Sequence, residues 1–566
     1  MRKKYACFLS LLMVASLAAC SSSESGNAAD TAVPSATIYS LNAESAGTVS
    51  TSASQTEIKV PEISADEATG EFSITSSDGN VSVSGNIYTI TSSGTYTAAG
   101  LLNGQIVIDA GESADVVLEL SDATIKCDSD SPVKVLSCGS LDISAKKGTE
   151  NIISDLRSEK EAADESQGEG AIYANCDLKI KGTGTLVVNA AYNNGIHTTK
   201  DLTIQNLSLM VTACNNALKG NDSVTVISGN IIAVSTKGDG IKTENTDISK
   251  NGYENGNIVV SGGSLSVYAA GDGIQAARDF EMTLGDSGEP FVTICTGSYS
   301  SYTSSDATTS SYKGIKVQNE LNIKAGSITL QTYDDGLHAD EGTALEDGST
   351  GLGNVNILGG TVNMAVYAPA NKTAGGRMGP GGWGGQQTVI GADGIHADST
   401  LNIYGGSINI DSAYEGLEAN IINISGGYTT LSANDDGVNA CKGSQTATIN
   451  VTGGVLDVTV PANSDTDGID SNGTYVQTGG VVITRGPSSQ MAGAIDSDGS
   501  VQVSGGTLIV LGYGRVSAGG SVKSYSLSLD SAGSHTVTIG GCDYTFTNSS
   551  SYGQTVCYSD QSVTQK

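Results

Sequence analysis

The sequence of 566 residues lacks any long segment in which apolar residues recur every 3.6 positions, and 73 of its residues are glycine. Because glycine destabilises helix interiors, these two features exclude a fold of stacked helices. Basic residues are also scarce: 28 Lys and Arg stand against 60 Asp and Glu, a formal net charge of −32. Nucleic acid is therefore a poor partner, and a polyanionic ligand would need cations between itself and the protein.

Close CxxC pairs, which are typical of zinc sites, are absent too. The eight cysteines after residue 20 are scattered along the chain. Export would permit disulfides, for example between Cys542 and Cys557, and buried thiols are an equal alternative. Beyond the N-terminus, no apolar run is long enough to span a membrane.

The N-terminus has a basic start, a short apolar run and a Leu-Ala-Ala-Cys ending at Cys20. This resembles a bacterial lipoprotein signal peptide, in which residues 1–19 are removed and Cys20 is acylated. We therefore expect an exported protein held on the outside of a bacterial cell membrane by lipid, with an ordinary secretory signal as the alternative. Residues 20–56, rich in Ser, Ala, Thr and Glu, predict a flexible linker, and 57–566 a single domain with caps at its ends.

The sequence does contain a short repeated phrase: an acidic or polar residue, Gly, an aliphatic residue, a variable polar residue, then usually Ala, Thr or Ser. Asp393-Gly394-Ile395-His396-Ala397 is one copy. The aliphatic residues of neighbouring copies are often about 22 positions apart, and a fixed period of this length indicates a solenoid.

Alternating aliphatic residues lie on both sides of a Gly-Gly pair between the copies, as in residues 401–410. Alternation predicts strands with one buried face, and the glycine pair predicts a corner. Three short strands and three corners fit about 22 residues, so the sequence predicts an all-β fold, a parallel β-helix with three strands per coil.

The residue after each buried aliphatic should point outward, and stacking should align these residues in one column at a spacing of about 4.8 Å. Three of the four histidines fall at this position. Their concentration favours a functional strip, and a purely structural polar ladder is the alternative. The predicted column is Tyr173, His197, Lys219, Lys242, Gln275, Lys316, His338, His396, Glu418, Asn439, Asp470 and Asp496.

Carboxylates flank the same strands, and clusters of oxygen ligands suit calcium. The alternative is that Asp-Gly only supplies turn geometry. The predicted calcium ligands are Asp239, Glu244, Asp272, Asp335, Asp340, Asp393, Asp398, Glu415, Asp436 and Asp467.

Tyrosines recur just before the phrase, and a tyrosine ring can stack on a sugar while its hydroxyl bonds to it. Ordinary surface tyrosines are the alternative. The only tryptophan, Trp383, lies in a glycine-rich insertion, residues 374–387, that either clamps a ligand or is inert. The predicted carbohydrate contacts are Tyr192, His197, Tyr268, Tyr333, His338, Trp383, His396 and Tyr414.

Several weak motifs occur in a recognisable order, among them Ser93-Gly94-Thr95-Tyr96, the serial Asp-Gly-Ile phrases, the glycine-rich insertion and the closing Tyr544-Thr545-Phe546. Together they resemble the bacterial carbohydrate-binding domain proteins that have a polysaccharide-lyase-like right-handed β-helix. The resemblance implies an exported, calcium-binding protein that holds plant cell-wall polysaccharide, either cellulose or a pectate-like polyuronate, without cleaving it.

Three functions remain open at this point. The first is a monomeric, membrane-tethered protein in which calcium bridges aspartates to a polysaccharide. The second is a calcium-dependent polysaccharide lyase with Lys219, Lys242 or Lys316 as the base, although the scarcity of arginine in the repeats argues against it. The third is a structural adhesin that spaces a partner from the membrane.

Overall fold

The computed structural model describes residues 60–158, 168–297, 311–367, 391–441, 443–462, 466–489 and 492–566. The expected signal peptide, Cys20, the linker and Trp383 lie outside these ranges. Within them every regular element is a β-strand, and no helix could cross a membrane. Most strands belong to one large sheet dominated by parallel pairings, so the fold is all-β and solenoid-like.

The parallel pairings form three series, and in each series a strand pairs with its equivalents in the layers before and after it. The first series starts at the aliphatic residue of the repeated phrase. Its strands are Gly170–Ala174, Asn194–Thr198, Leu218–Gly220, Ile241–Lys242, Ile274–Ala276, Ile315–Val317, Leu337–Ala339, Ile395–Ile403, Leu417–Ile424, Val438–Ala440 and Ile469–Ser471.

The second series follows in the chain, and the ends of Ile395–Ile403 and Leu417–Ile424 also belong to it. Its other strands are Asp177–Gly182, Asp201–Gln205, Ser223–Val226, Asn257–Val260, Phe280–Met282, Glu320–Ile323, Asn354–Ile357 and Thr448–Val451.

The third series completes each layer. Its strands are Glu150–Asp155, Thr185–Ala190, Ser208–Ala213, Asn230–Ser235, Ser264–Ala269, Phe291–Thr296, Ser327–Thr332, Thr361–Val366, Ser407–Ser412, Tyr428–Ser432 and Val455–Thr459. Four long strands run through more than one series. Gln105–Cys127 runs through all three. Those that run through two are Val133–Ala145, Thr474–Arg485 and Ser500–Leu511.

Shorter strands, partly antiparallel, lie at the two ends and in one insertion. Those near the N-terminus are Ser73–Ser76, Val81–Ser84, Ile87–Ile90 and Gly94–Asn103. Those near the C-terminus are Ser517–Ala518, Lys523–Tyr525, Gly533–Ile539, Cys542–Asn548, Thr555–Ser559 and Val563–Gln565. Thr555–Ser559 pairs antiparallel with residues 507–511 of Ser500–Leu511, and so covers the last parallel edge of the third series. The insertion is a hairpin of Glu341–Ala344 and Thr350–Leu352.

The core is a continuous stack of aliphatic side chains. Ile196, Leu218, Ile241 and Ile274 are paired in register through successive layers, and all are completely buried. Burying one such side chain stabilises a fold by about 1.5–3 kcal/mol. Along Ile395–Ile403, successive residues alternate between buried and half-buried, as the period of two predicts.

The glycine of the phrase is explained by close approach between layers. A Cβ on Gly394 would lie 2.6 Å from the carbonyl oxygen of Gly416, and one on Gly416 would lie 2.4 Å from that of Gly437. These three glycines do not have positive φ, whereas Gly406 in a Gly-Gly corner has φ of 80°. The phrase glycine therefore provides space rather than turn geometry, and the corner glycine provides the turn.

Candidate functional site

The outward residues of the first series form one column, as predicted. The register pairs Tyr173 with His197, and His197 with Lys219. It continues without a break to Asn439 and Asp470. The column therefore aligns side chains that are spread over about 300 positions of the sequence.

A ladder of hydrogen bonds runs beside the column. Oδ1 of Asp335 accepts the backbone N–H of Asp393 at 2.7 Å, and Oδ1 of Asp393 accepts that of Glu415 at 3.2 Å. The same bond joins Asp239 to the N–H of Asp272 at 2.9 Å. One oxygen of each of these carboxylates therefore accepts a backbone hydrogen bond from the next layer. The other oxygen can contact side chains of the column. The sequence analysis missed this ladder, whose only signal was the acidic residue recurring at one position.

The chemistry of the column changes along its length. We name three parts of it after their side chains. The basic segment is His197, Lys219, Lys242, Gln275 and Lys316; the histidine segment is Asp335, His338, Asp340, Asp393, His396, Asp398 and Glu418; the acidic segment is Asp436, Asn439, Asp467, Asp470 and Asp496.

His197, in the basic segment, is 2% exposed. Its Nε2 is 3.1 Å from Oδ1 of Asn221, while its buried Nδ1 has no hydrogen-bond partner among the described residues; Oε2 of Glu169 is 3.9 Å from it. Burial and the charge of Lys219 lower the pKa of His197 to about 4. The ring is therefore neutral at pH 7, and its Nδ1 can accept a hydrogen bond.

A polar cleft of about 420 Å³ is lined by two neighbours of His197, Glu169 and Lys219. Tyr192 contributes to its wall but is 8% exposed, with the guanidinium of Arg157 over its ring at 3.8 Å. The cleft can therefore offer amides, ammonium groups and a carboxylate to a hydroxyl-rich ligand. Its lining residues are Glu169, Tyr192, Asn193, Asn194, Cys214, Asn215, Lys219 and Lys237.

The three lysines of the basic segment are all ion-paired. The pairs are Lys219 with Glu244 at 2.8 Å, Lys242 with Asp239 at 3.0 Å, and Lys316 with Asp340 at 3.2 Å. Each of these ammonium groups is therefore held by a carboxylate. Three of the predicted calcium ligands are therefore engaged with lysine. A fourth, Asp272, accepts hydrogen bonds from Ser311 and from the backbone of Lys313.

Each histidine of the histidine segment lies between carboxylates. Nδ1 and Nε2 of His338 are both 2.7 Å from an oxygen, of Asp335 and Asp340 respectively. Asp335 also contacts Nζ of Lys313 at 2.8 Å. Lys313 occupies the acidic position of a degenerate phrase, and sequence analysis gave it no role. Burial favours neutral His338, but Asp335 and Asp340 outweigh it and raise its pKa.

His396 has three carboxylate neighbours. Its Nδ1 is 2.8 Å from Glu418 and 3.1 Å from Asp393, and its Nε2 is 3.0 Å from Asp398. Burial and the negative charges of Asp335 and Glu418 raise the pKa of Asp393 to about 8, although its hydrogen bond to His396 opposes the shift. Glu418, which makes the shorter contact, has a lowered pKa, because His396 outweighs the effect of burial. Glu418 was predicted in the column but not as part of a binding site.

The acidic segment offers oxygen atoms alone apart from the amide of Asn439. Burial and the neighbouring carboxylates of Asp436, Asp470 and Asp496 raise the pKa of Asp467 to about 7. Burial and Asp393 likewise raise the pKa of Glu415, which accepts a hydrogen bond from Asn439. These carboxylates repel one another, so a cation placed between them would be stabilised.

The tyrosines differ in accessibility. Tyr333 is 8% exposed and packs against Tyr367, with ring centroids 5.8 Å apart, so its faces are largely covered, as are those of Tyr192. Tyr268 and Tyr414 are half-buried and keep part of their surface open. Burial and a hydrogen bond to Asp435 raise the pKa of Tyr414.

Comparison with known proteins gives three matches. A family model described as carbohydrate-binding domain-containing protein matches residues 84–366. A protein of that description from Acetivibrio thermocellus is 38% identical over 135 residues, which are 24% of this chain and 47% of the relative, so the chain spans about half the length of the relative. A solved structure, "Structure of the polysaccharide lyase-like protein from C. thermocellum, Gadolinium derivative", is 33% identical over 43% of this chain and 89% of its own, with a TM-score of 0.37. The chain belongs to the family of carbohydrate-binding domain-containing proteins.

Proposed function

We propose that this protein binds an extended polysaccharide of the plant cell-wall type along its column and does not cleave it. The observation that carries the proposal is the polar column itself, with a cleft that Glu169, Lys219 and Lys237 line. The carboxylate and ammonium groups of the cleft can bind sugar hydroxyls, and the ammonium groups can also bind carboxylate oxygens. Half-buried Tyr268 and Tyr414 offer ring surface to sugars.

The proposed architecture is a right-handed parallel β-helix with three strands and about 22 residues per coil. The 22-residue separation of paired His197 and Lys219, and of Lys316 and His338, supports it. The proposal further includes a monomeric, exported protein whose lipid on Cys20 anchors it to a bacterial membrane. Labelling with a fatty-acid analogue tests the anchor, since a Cys20→Ala chain should take up no label.

Calcium is part of the proposal, and the acidic segment is where the residues fit it best. Its donors are oxygens, which calcium prefers, and the raised pKa of Asp467 reflects burial together with the unfavourable proximity of like charges. Bound calcium would offset this repulsion and bridge the carboxylates to those of a polyuronate. A net charge of −32 makes such a bridge necessary for an acidic polysaccharide.

Affinity electrophoresis in gels containing polygalacturonate or cellulose, with and without chelator, tests binding. We expect the wild type to be retarded in at least one gel and Lys219→Ala to lose this retardation. Lys523→Ala, which changes an exposed lysine of the C-terminal strands, should be retarded as strongly as the wild type. Chelator should release polygalacturonate, and Asp467→Asn should do the same. Unretarded migration in every gel would contradict the proposal.

Cleavage is tested by the absorbance of unsaturated products when the protein is incubated with polygalacturonate and calcium. We expect none, because Lys219, Lys242 and Lys316 are ion-paired. Product that forms with the wild type and not with Lys242→Ala would instead identify a lyase.

A further inference from the structure

The histidine segment holds a donor set that calcium does not favour. Among the described residues, three potential metal-binding atoms lie within 4.8 Å of one another in two groups. One group is Asp335, His338 and His396; the other is Asp393, His396 and Glu418. Both groups combine imidazole nitrogen with carboxylate oxygen, and both contain His396.

Imidazole nitrogen is a common ligand of zinc and other first-row transition metals, whereas calcium takes oxygen ligands. The rings of His338 and His396 stack with centroids 4.8 Å apart and planes 14° apart. Nδ1 of each ring points to the aspartate of its own phrase, and Nε2 to the aspartate two residues later. The Nδ1 atoms of the two rings are therefore aligned on one side of the stack, and the Nε2 atoms on the other.

The local charge also favours a cation. Five carboxylates contact the two histidines: those of Asp335, Asp340, Asp393, Asp398 and Glu418. Two ammonium groups approach them, Lys313 at Asp335 and Lys316 at Asp340. Five carboxyl groups against two ammonium groups leave room for a divalent ion, which would take the place of protons in the cluster. Asp335 and Asp393 are both 4% exposed, so such an ion would be largely shielded from water.

We propose that the histidine segment binds a divalent transition-metal ion, with zinc the best match, through His396 and either Asp335 with His338 or Asp393 with Glu418. The ion would join two layers whose histidines are 58 positions apart in the chain. This site is separate from the proposed calcium site in the acidic segment and does not depend on carbohydrate binding.

The test uses the untagged protein after removal of metals. Zinc affinity is measured by calorimetry, and cobalt binding by its visible absorption. We expect His396→Gln to weaken zinc binding by at least about 100-fold, and His535→Gln, which changes the histidine of the C-terminal strands, to leave it unchanged. Circular dichroism checks that each variant folds, and Glu418→Gln replaces His396→Gln if the latter does not.

Equal zinc affinity in wild type and in the histidine-segment variants would overturn the proposal. So would release of zinc by a small excess of calcium, because the site would then prefer oxygen ligands. Loss of zinc binding by His396→Gln with polysaccharide binding intact would support this site, and would leave the function proposed above untouched.

A separate observation concerns two cysteines of neighbouring layers. Sγ of Cys138 and Sγ of Cys176 are 2.8 Å apart, closer than unbonded sulfur atoms usually approach. Cys138 lies in Val133–Ala145, and Cys176 immediately precedes Asp177–Gly182. These strands pair in parallel from Ser140 and Asp177 onward, so the backbones near the cysteines are spaced as adjacent strands are, within the range a disulfide spans. Both cysteines are buried, yet both line a cleft of about 340 Å³ that a small reagent can enter.

We infer that Cys138 and Cys176 form a disulfide when a small-molecule disulfide is present. One thiolate attacks the reagent and releases one thiol; the second thiolate then attacks the mixed disulfide and releases the other. Two electrons pass from the cysteine pair to the reagent, and the two cysteine protons end on its two thiols. The bond would link layers at the start of the solenoid.

Oxidised glutathione is the reagent for the test, followed by alkylation and peptide mapping without reduction. We expect one linked peptide pair containing Cys138 and Cys176. Cys138→Ser should abolish it, and Cys127→Ser, which changes another buried cysteine, should not. Alkylation of both cysteines after full exposure to oxidised glutathione would refute the inference, as would pairing of Cys176 with a different cysteine.

Discussion

The rings of His338 and His396 stack at 4.8 Å although 58 residues separate them in the chain. The stack exists because Leu337–Ala339 and Ile395–Ile403 pair in parallel with no register shift at these residues. Asn354–Ile357 and Thr361–Val366 complete the layer between the two strands, and the hairpin of Glu341–Ala344 and Thr350–Leu352 is an insertion in that layer. The column therefore tolerates long insertions without losing its alignment.

The phrase glycine should not tolerate a methyl group. In Gly394→Ala the new Cβ would lie 2.6 Å from the carbonyl oxygen of Gly416 and 2.7 Å from Cδ1 of Ile410. We expect a loss of about 1–3 kcal/mol in the free energy of unfolding, measured by denaturant titration. Gly519→Ala is the matched control, since nothing lies within 4 Å of its Cβ, and it should change stability little. Equal stability of the two variants would show that the layers separate easily at Gly394.

The aspartate ladder predicts a difference between alanine and asparagine. Asp239→Ala leaves the backbone N–H of Asp272 without its acceptor and should cost about 1–3 kcal/mol. Asp239→Asn should recover most of this loss, because Asn216 already fills the same role one layer earlier, accepting the N–H of Asp239 at 3.0 Å. Thermal unfolding of the two variants tests the prediction, and identical losses would mean that only the ion pair with Lys242 matters.

Lys313 should matter more than an exposed lysine with a similar contact. Lys313→Ala leaves the buried Asp335 without its ammonium partner, and we expect a loss of about 3–5 kcal/mol in unfolding free energy. Lys324→Ala removes a lysine whose partner Glu281 is also solvent-accessible, and it should cost less than about 1 kcal/mol. Both values come from denaturant titration. A smaller loss for Lys313→Ala than for Lys324→Ala would contradict the burial argument.

His197 should make stability depend on pH. Burial lowers its pKa to about 4 in the fold from the ordinary value of 6.5, so the unfolded chain binds more protons between these values. Stability contributed by the neutral ring is complete above pH 6.5 and is lost as pH falls towards 4, a difference of about 3 kcal/mol.

The measurement is the free energy of unfolding at pH 7 and at pH 4.5, for wild type and His197→Gln. Other groups titrate over this interval in both proteins, so the difference between the two pH dependences isolates His197. We expect the wild type to lose more stability than the variant. Parallel curves would mean that the ring is protonated in the fold at low cost.

Periodicity was sufficient to predict the strands and the column, because a strict alternation leaves each residue only one face to occupy. It could not predict partners whose pairing depends on insertion length. Lys313 pairs with Asp335, and Arg278 pairs with Asp347 in the hairpin. Both contacts depend on which layers are neighbours, and insertions of unknown length hide this in the sequence. Periodicity also could not predict the role of the phrase glycine. A turn and a close approach between layers both require glycine, so the sequence alone does not distinguish them.

The strand Thr555–Ser559 has a consequence for the way copies of the chain behave towards each other. It runs opposite to the strand that it covers, Ser500–Leu511, and so stops a second molecule from continuing the stack. A chain ending before Thr555 would offer an open row of backbone donors and acceptors at that face. We expect such chains to join end to end into fibres. The strand Thr555–Ser559 would therefore prevent growth of the stack beyond one molecule.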